Sequence, residues 1–126
     1  MNLPANPALH GDCRKVSVIL SRVGDKWTVL IVMVLREGPR RFNDIKRTVG
    51  GISQQMLTRT LKSLERDGMV LRTVHPTVPP QVEYELTALG HSLSEPVIAL
   101  GAWAHRHIAE IDGHRARYDG ASKKRA

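Results

Sequence analysis

The segment between Gly50 and Gly68 constrains the fold most strongly, because it predicts a helix with two different faces. Leucines repeat at helical spacing on one face, as in a helix that packs on a core. Ser53 is a good N-cap, and the spacing of Ile52 and Leu57 is that of a hydrophobic staple. The opposite face carries four long polar side chains: Gln55, Arg59, Lys62 and Arg66. This polar face needs an explanation beyond folding.

Turn residues and apolar spacing predict three helices before this segment. The first should run from Asp12 to Gly24, with apolar side chains at i, i+3, i+4 and i+7. Asp25 can cap a second helix that is apolar on nearly every side and stops at Gly38. This helix is therefore expected to be the central core element. A brief third helix should be capped by Asn43.

After Gly68 the pattern changes from helix to strand. Residues 69–75 and 81–86 contain alternating side chains, and the proline-rich tip between them indicates a hairpin. Thr87 then caps a last apolar helical region, expected to be broken or kinked at Pro96 because proline removes a backbone hydrogen bond. The predicted fold class is mostly α with a small β-hairpin wing (α+β), in the order of a winged helix-turn-helix.

The chain of 126 residues is short enough for one domain. Residues 1–11 hold two prolines and a glycine without periodicity, so they are predicted to be a flexible arm. Residues 12–112 contain all the predicted helices and strands and form the domain. Residues 113–126 are polar and basic, and they are predicted to be a disordered tail.

The charge favours polyanionic partners, since the chain carries a net charge of +7. Nine Lys or Arg and four acids lie within residues 36–75. A DNA major groove admits one α-helix, and amide and guanidinium groups pair with purine edges. The residues predicted to contact bases are Ser53, Gln54, Gln55, Thr58 and Arg59. Those predicted to contact phosphate are Arg40, Arg41, Lys62, Arg66, Arg72 and His75.

A solvated helix face is the simplest alternative for the polar stripe, because Gln, Arg and Lys are good helix formers without any partner. The combination with a basic link at residues 40–41, a capped glycine turn and a following hairpin favours DNA. A winged helix that binds an acidic protein remains the alternative function. No catalytic or cofactor-binding arrangement is found, so an enzyme is not expected.

The chain resembles the HxlR-type bacterial regulators, relatives of the MarR-type winged helices, over about residues 13–108. The resemblance rests on Cys13, GDKWT at 24–28, the segment 38–70 and PPQVEYELTALG at 79–90. It implies a homodimeric transcription factor, more often a repressor, on a pseudo-palindromic operator. Terminal helices of both chains should form the dimer interface, for which we expect Val16, Leu20, Val97, Leu100, Trp103 and Ile108.

Two positions of the predicted wing depart from the family pattern. Gln81 stands where a basic residue usually follows the paired prolines, and Thr73 stands where Arg is common. The wing is therefore expected to hold phosphate less firmly than in relatives.

Cys13 is the only cysteine, so no intrachain disulfide can form and a reducing, cytoplasmic compartment is expected. No apolar run approaches the length of a membrane helix, so no membrane partner is expected. Positive neighbours and a helix N-terminus would activate the Cys13 thiol, and the resemblance implies an oxidant sensor. The alternative is a small buried hydrophobe at the dimer interface.

Two further expectations concern ligands. A small-molecule effector could bind between the last helix and the winged domain, although the sequence does not identify it. His105 and His107 are two positions apart and point away from each other on a helix, so no metal site is predicted.

Overall fold

The computed structural model describes residues 13–125, with the side chains of residues 13–121. The predicted arm at residues 1–11 and the predicted cap at Asp12 lie outside the described residues. The elements are α1 (Cys13–Val23), α2 (Lys26–Arg36), β1 (Arg40–Arg41), α3 (Phe42–Val49), α4 (Gln54–Arg66), β2 (Val70–His75), β3 (Gln81–Leu86) and α5 (Ala88–Arg125). The predicted fold class, mostly α with a small β wing, is confirmed.

Helix α2 is the central core element, as its apolar sequence predicts. The side chains of Ile31, Val32 and Leu35 are buried, and α2 packs against α3, α4, α5 and β3. Asp25 caps α2, because its Oδ1 accepts from the backbone N–H groups of Trp27 at 2.9 Å and Thr28 at 3.3 Å. The core is completed by apolar side chains from the surrounding elements: Ile45, Ile52, Leu57, Leu61, Leu64, Val70 and Leu86.

Helices α3 and α4 form the helix-turn-helix. The predicted cap of α3 at Asn43 is wrong, because the helix already begins at Phe42 and residue 43 lies in its first turn. At the turn between the helices Gly50 and Gly51 have φ values of 71° and 73°, a left-handed conformation that favours glycine. Ser53 caps α4 as predicted, with its Oγ accepting from the Met56 N–H at 3.0 Å.

Strand β1, just before the helix-turn-helix, and β2 and β3, after it, form a three-stranded antiparallel sheet with the order β1-β3-β2. Strands β2 and β3 pair from Val70 opposite Leu86 to His75 opposite Gln81. We call these two strands and their connecting tip, residues 70–86, the wing. The sequence predicts the hairpin but not β1, because a strand of two residues shows no alternation.

Helix α5 differs from prediction in two ways. It continues through Pro96 as one helix, so the expected break is absent, while the alternative of a kink stays a prediction. The buried neighbours Ser94 and Val97 dock this region on the body. It also includes residues 113–125, for which the sequence predicts disorder. Arg, Ala and Lys favour helix, and extending an existing helix needs no new nucleus. Thr87 caps α5 as predicted, since its Oγ1 accepts from the Gly90 N–H at 3.1 Å.

Candidate nucleic-acid interface

Helix α4 separates its apolar and polar residues onto opposite faces. Leu57, Leu61 and Leu64 are fully buried, which fixes the rotation of the helix about its axis. The polar side opens onto a concave surface lined by Gln54, Gln55, Thr58, Arg59 and Lys62. Four of the five residues predicted to contact bases therefore line one surface together.

Ser53, the fifth predicted base contact, is exposed but already has a structural role. Its Oγ accepts the Met56 N–H, so the hydroxyl proton and one lone pair remain free to bind a further group. The side chain of Thr58 is half-buried, whereas Gln54, Gln55 and Arg59 are exposed. The strongest base-contacting candidates are therefore the two amides and the guanidinium group.

The cations of this surface are not neutralised by acids. Among the described residues Arg59, Lys62, Arg66 and Arg41 form no ion pair, and each is exposed. Their charges therefore remain available to an anionic partner. Arg40 differs, because its Nη2 lies 3.2 Å from Glu37 Oε2 and its side chain is only partly exposed.

The wing is the least basic part of the predicted interface. Arg72 is exposed on β2, but His75 Nε2 lies 3.5 Å from Glu83 Oε1. Thr73 stands opposite Glu83, and Gln81 stands opposite His75. A carboxylate beside His75 competes with phosphate. The wing carries Arg72 against Glu83 and Glu85, a net charge of −1 with histidine neutral, so the two departures from the family pattern fall on a wing that attracts phosphate weakly.

The residues predicted for a dimer interface divide into two groups. Leu20, Leu100, Trp103 and Ile108 are exposed by 60%, 62%, 48% and 55%, respectively, on the single chain. Val16 is half-buried and Val97 is buried, so Val97 belongs to the packing of the chain itself. The predicted set omits the exposed apolar residues Val18, Ile19 and Tyr118.

Cys13 is exposed at the N-terminal end of α1. Within the single chain it does not pack as a buried hydrophobe. Among the described residues, no group of three His, Cys, Asp or Glu is placed to hold a metal ion. His107 instead stacks on Trp103, with ring centroids 4.6 Å apart.

An ion pair between Arg22 and Asp67 was not predictable from the sequence. One guanidinium nitrogen of Arg22, at the end of α1, lies 2.6 Å from both carboxylate oxygens of Asp67, the C-cap residue of α4. The two residues are 45 positions apart, and no motif links them. The contact joins the terminal helix to the helix of the polar face.

The family assignment follows from comparison with known proteins. Residues 22–112 match the HxlR-like helix-turn-helix family. The chain belongs to this family. It is therefore a transcriptional regulator with a helix-turn-helix fold, and the resemblance identified from the sequence is confirmed.

Individual relatives support the same assignment of this HxlR-like regulator. It is 46% identical over 93 residues to the HTH-type transcriptional regulator YtfH of Escherichia coli strain K12, covering 74% of each chain. A solved ytfH structure from Salmonella typhimurium matches with a TM-score of 0.76 at 40% identity, over 80% of this chain and 90% of the other. The oxidised redox regulator HypR matches with a TM-score of 0.69 at 38% identity, over 73% and 95%.

The matched range of this HxlR-like regulator includes α4 and the wing, but not all of the terminal helices. Cys13 and most of α1 precede residue 22, and residues 113–125 of α5 follow residue 112. In the described part of the chain no helix is both long and apolar enough to span a bilayer.

Proposed function

We propose that this HxlR-like regulator binds double-stranded DNA as a homodimer and represses transcription from a pseudo-palindromic operator. The observation that carries the proposal is the exposed polar face of α4, where Gln55 and Arg59 lie opposite buried leucines and Gln54 and Lys62 line the same surface. If this face only kept the protein soluble, acidic residues could pair with its cations without any loss of solubility. Here Arg59 and Lys62 have no acid partner among the described residues.

Base recognition is assigned to the N-terminal half of α4. The major groove is about 12 Å wide and admits one helix. Gln55 can pair with the N6 and N7 groups of adenine, and Arg59 can pair with O6 and N7 of guanine. Ser53, Gln54 and Thr58 are proposed as further base contacts, although the Oγ of Ser53 already accepts the Met56 N–H.

Phosphate contacts are assigned to the exposed cations around this face. They are Arg41, Lys62, Arg66 and Arg72, with Arg40 and His75 contributing less because each already faces a glutamate. If each protomer neutralises four to five phosphates, log K should fall against log salt with a slope of about −7 to −9 for the dimer. A salt titration of DNA binding measures this slope.

The homodimer is assigned to the exposed apolar surface of α1 and α5. Leu20, Leu100, Trp103 and Ile108 are large apolar side chains, each at least 48% exposed on the single chain, and exposed apolar surface of this kind is typical of interaction sites. A symmetric dimer uses the same surface on both protomers. It would place the two α4 helices on half-sites about 34 Å apart, or a multiple of that distance.

A thiol response is assigned to Cys13. The related structure is named a redox regulator, and Cys13 is exposed at an α-helix N-terminus, where oxidants can reach it. Oxidation of a residue on a dimer helix would alter DNA binding through the arrangement of the two protomers.

A small-molecule effector stays a prediction. A regulator of promoters acts where the chromosome lies, so the proposed location is the cytoplasm.

Selection from random duplexes tests the proposal. Purified protein would be incubated with the pool at about 150 mM salt, where nonspecific binding is weak, and retained duplexes would be sequenced. Arg59→Ala would be compared with Arg115→Ala, which removes the same charge from an exposed position on α5. An inverted repeat that blurs at one position per half-site only in Arg59→Ala supports the proposal. Retention without an enriched sequence, unchanged by Arg59→Ala, favours the protein-interaction module instead.

A further inference from the structure

A side-chain ion pair joins the C-terminal end of α4 to α1. Nη1 of Arg22 donates to both carboxylate oxygens of Asp67 at 2.6 Å. The two side chains are only 34% and 25% exposed, so the pair is partly shielded from water. Charge-assisted hydrogen bonds of this length are among the stronger polar contacts in proteins, unlike most exposed ion pairs.

The negative charge of Asp67 does not stabilise helix α4 itself. A negative charge at a helix C-terminus lies at the unfavourable end of the helix dipole. The capping bond at this position comes from the backbone N–H of Asp67, which donates to Ser63 O at 3.1 Å. The carboxylate instead contacts α1, where Arg22 occupies the last turn and suits the dipole of that helix. The pair therefore joins two helices at their ends.

The same end of α4 is also held to the wing and to α5. Thr87 Oγ1 donates to Gly68 O at 2.6 Å, and the Thr87 N–H donates to Met69 O at 3.0 Å. At the opposite end of α4, Gln54 and Gln55 are exposed. Near that end Ile52 and Leu57 are buried in the core, so packing holds α4 along its apolar side. Because the core holds α4, the Arg22–Asp67 pair bears on the angle between α4 and α1.

Helix α1 has little else to hold it against the body of the single chain. It contains no buried residue, and Ile19 and Leu20 remain exposed. Among the described residues, Arg22 is the residue of α1 whose side chain forms hydrogen bonds to another element. The other hydrogen bonds at this end of α1 are backbone bonds in the turn that follows it. The Arg22–Asp67 pair therefore connects the apolar terminal helix directly to the helix of the polar face.

From this geometry we propose that Arg22 and Asp67 are positioning residues, which set the angle of α4 relative to the dimer helices and hence the half-site spacing that the dimer accepts. The inference rests on the proposed function. Neither side chain is assigned a contact with DNA. Loss of the pair should weaken binding to the operator while leaving nonspecific attraction to phosphates largely unchanged.

If DNA binding depended only on the net charge of the chain, changes at Arg22 and at Asp67 would have opposite effects. Arg22→Gln lowers the net charge of the chain by one, and Asp67→Asn raises it by one. If only the overall field mattered, the first change would weaken DNA binding and the second would strengthen it. If the pair positions α4, both changes lower the preference for the operator over random DNA, and the double variant is no worse than either single variant.

The test uses the operator enriched by the unaltered protein. The ratio of operator to random-duplex affinity would be measured for Arg22→Gln, Asp67→Asn and the double variant. Arg36→Gln is the control, because it breaks the Arg36–Glu95 pair between α2 and α5 without touching α4. We expect the ratio to fall about 5-fold to 30-fold in the three pair variants, a usual range for coupling between sites. The control should stay within about twofold of the unaltered protein.

Operators with one or two base pairs inserted between the half-sites give a second readout. The unaltered protein should bind these poorly, whereas the pair variants should discriminate less between spacings. A purely structural contact would lower the melting temperature without changing this discrimination. Ratios and spacing preferences equal to those of Arg36→Gln, or opposite shifts for the two single variants, would overturn the inference.

Two outcomes outside this pattern remain decisive. If Arg22→Gln does not fold, Arg22→Lys and Asp67→Glu keep both charges while altering the contact geometry, and unchanged spacing preference in these variants overturns the inference. If the unaltered protein enriches no sequence at all, the proposed function fails first, and Arg22 and Asp67 have no positioning role in base recognition.

Discussion

At the scale of single residues, Ser53 combines a structural contact with a place in the proposed interface. Its Oγ accepts the Met56 N–H at 3.0 Å at the start of α4. Ser53→Ala removes this cap and should lower the free energy of unfolding by about 1 kcal/mol, measured by urea denaturation. Ser53→Asp keeps a capping oxygen but adds a negative charge near DNA. It should preserve stability while weakening DNA binding, and an unchanged urea midpoint in Ser53→Ala would contradict the assigned cap.

Leu61 and Arg59 lie two positions apart on opposite faces of α4, so their substitutions should separate folding from binding. Leu61 is almost fully buried, and Leu61→Ala should lower the free energy of unfolding by about 2–5 kcal/mol. Arg59→Ala should change it by less than about 0.5 kcal/mol, because the side chain is exposed. Thermal unfolding of both variants measures the difference. Comparable losses would mean that the polar face contributes to the fold.

At the scale of elements, the sequence predicts best where one segment carries its own signals. The cap at Ser53, the leucine spacing and Gly68 determine α4 almost completely, and the hairpin follows from alternation. Strand β1 was missed because its two residues pair with β3 through backbone bonds that any residues can make. The Arg22–Asp67 contact was missed because it depends on tertiary packing across 45 positions.

Helix α5 gives a prediction at this scale. Residues 113–125 continue the helix although their polar composition indicates disorder. Deletion of residues 113–126 should therefore lower the far-ultraviolet circular dichroism signal per molecule, because helical residues are lost. The melting temperature should change little, since the deleted side chains described here are mainly exposed. An unchanged signal per molecule would contradict a helical extension.

At the scale of the whole molecule, the exposed apolar residues of α1 and α5 are the basis of the proposed homodimer. Leu100→Asp places a charge in the proposed interface, where desolvation is costly, and should shift the protein from dimer to monomer. Val78→Asp is the control, because it also replaces an apolar side chain by a carboxylate, but at the wing tip, where Val78 is fully exposed. Analytical ultracentrifugation measures both variants. A Leu100→Asp protein that sediments like the control would contradict the assigned interface.

Direct recognition of bases by α4 underlies the proposed function, and a cycle of paired changes measures this recognition most directly. The operator base pair that blurs in the Arg59→Ala selection would be replaced, and both proteins would be measured on both duplexes at one salt concentration. Each single change should cost about 1–3 kcal/mol of binding free energy. Together they should cost no more than either alone, because both remove the same contact. Fully additive losses would mean that Arg59 does not contact that base pair, which would contradict the assignment of α4 as the recognition helix.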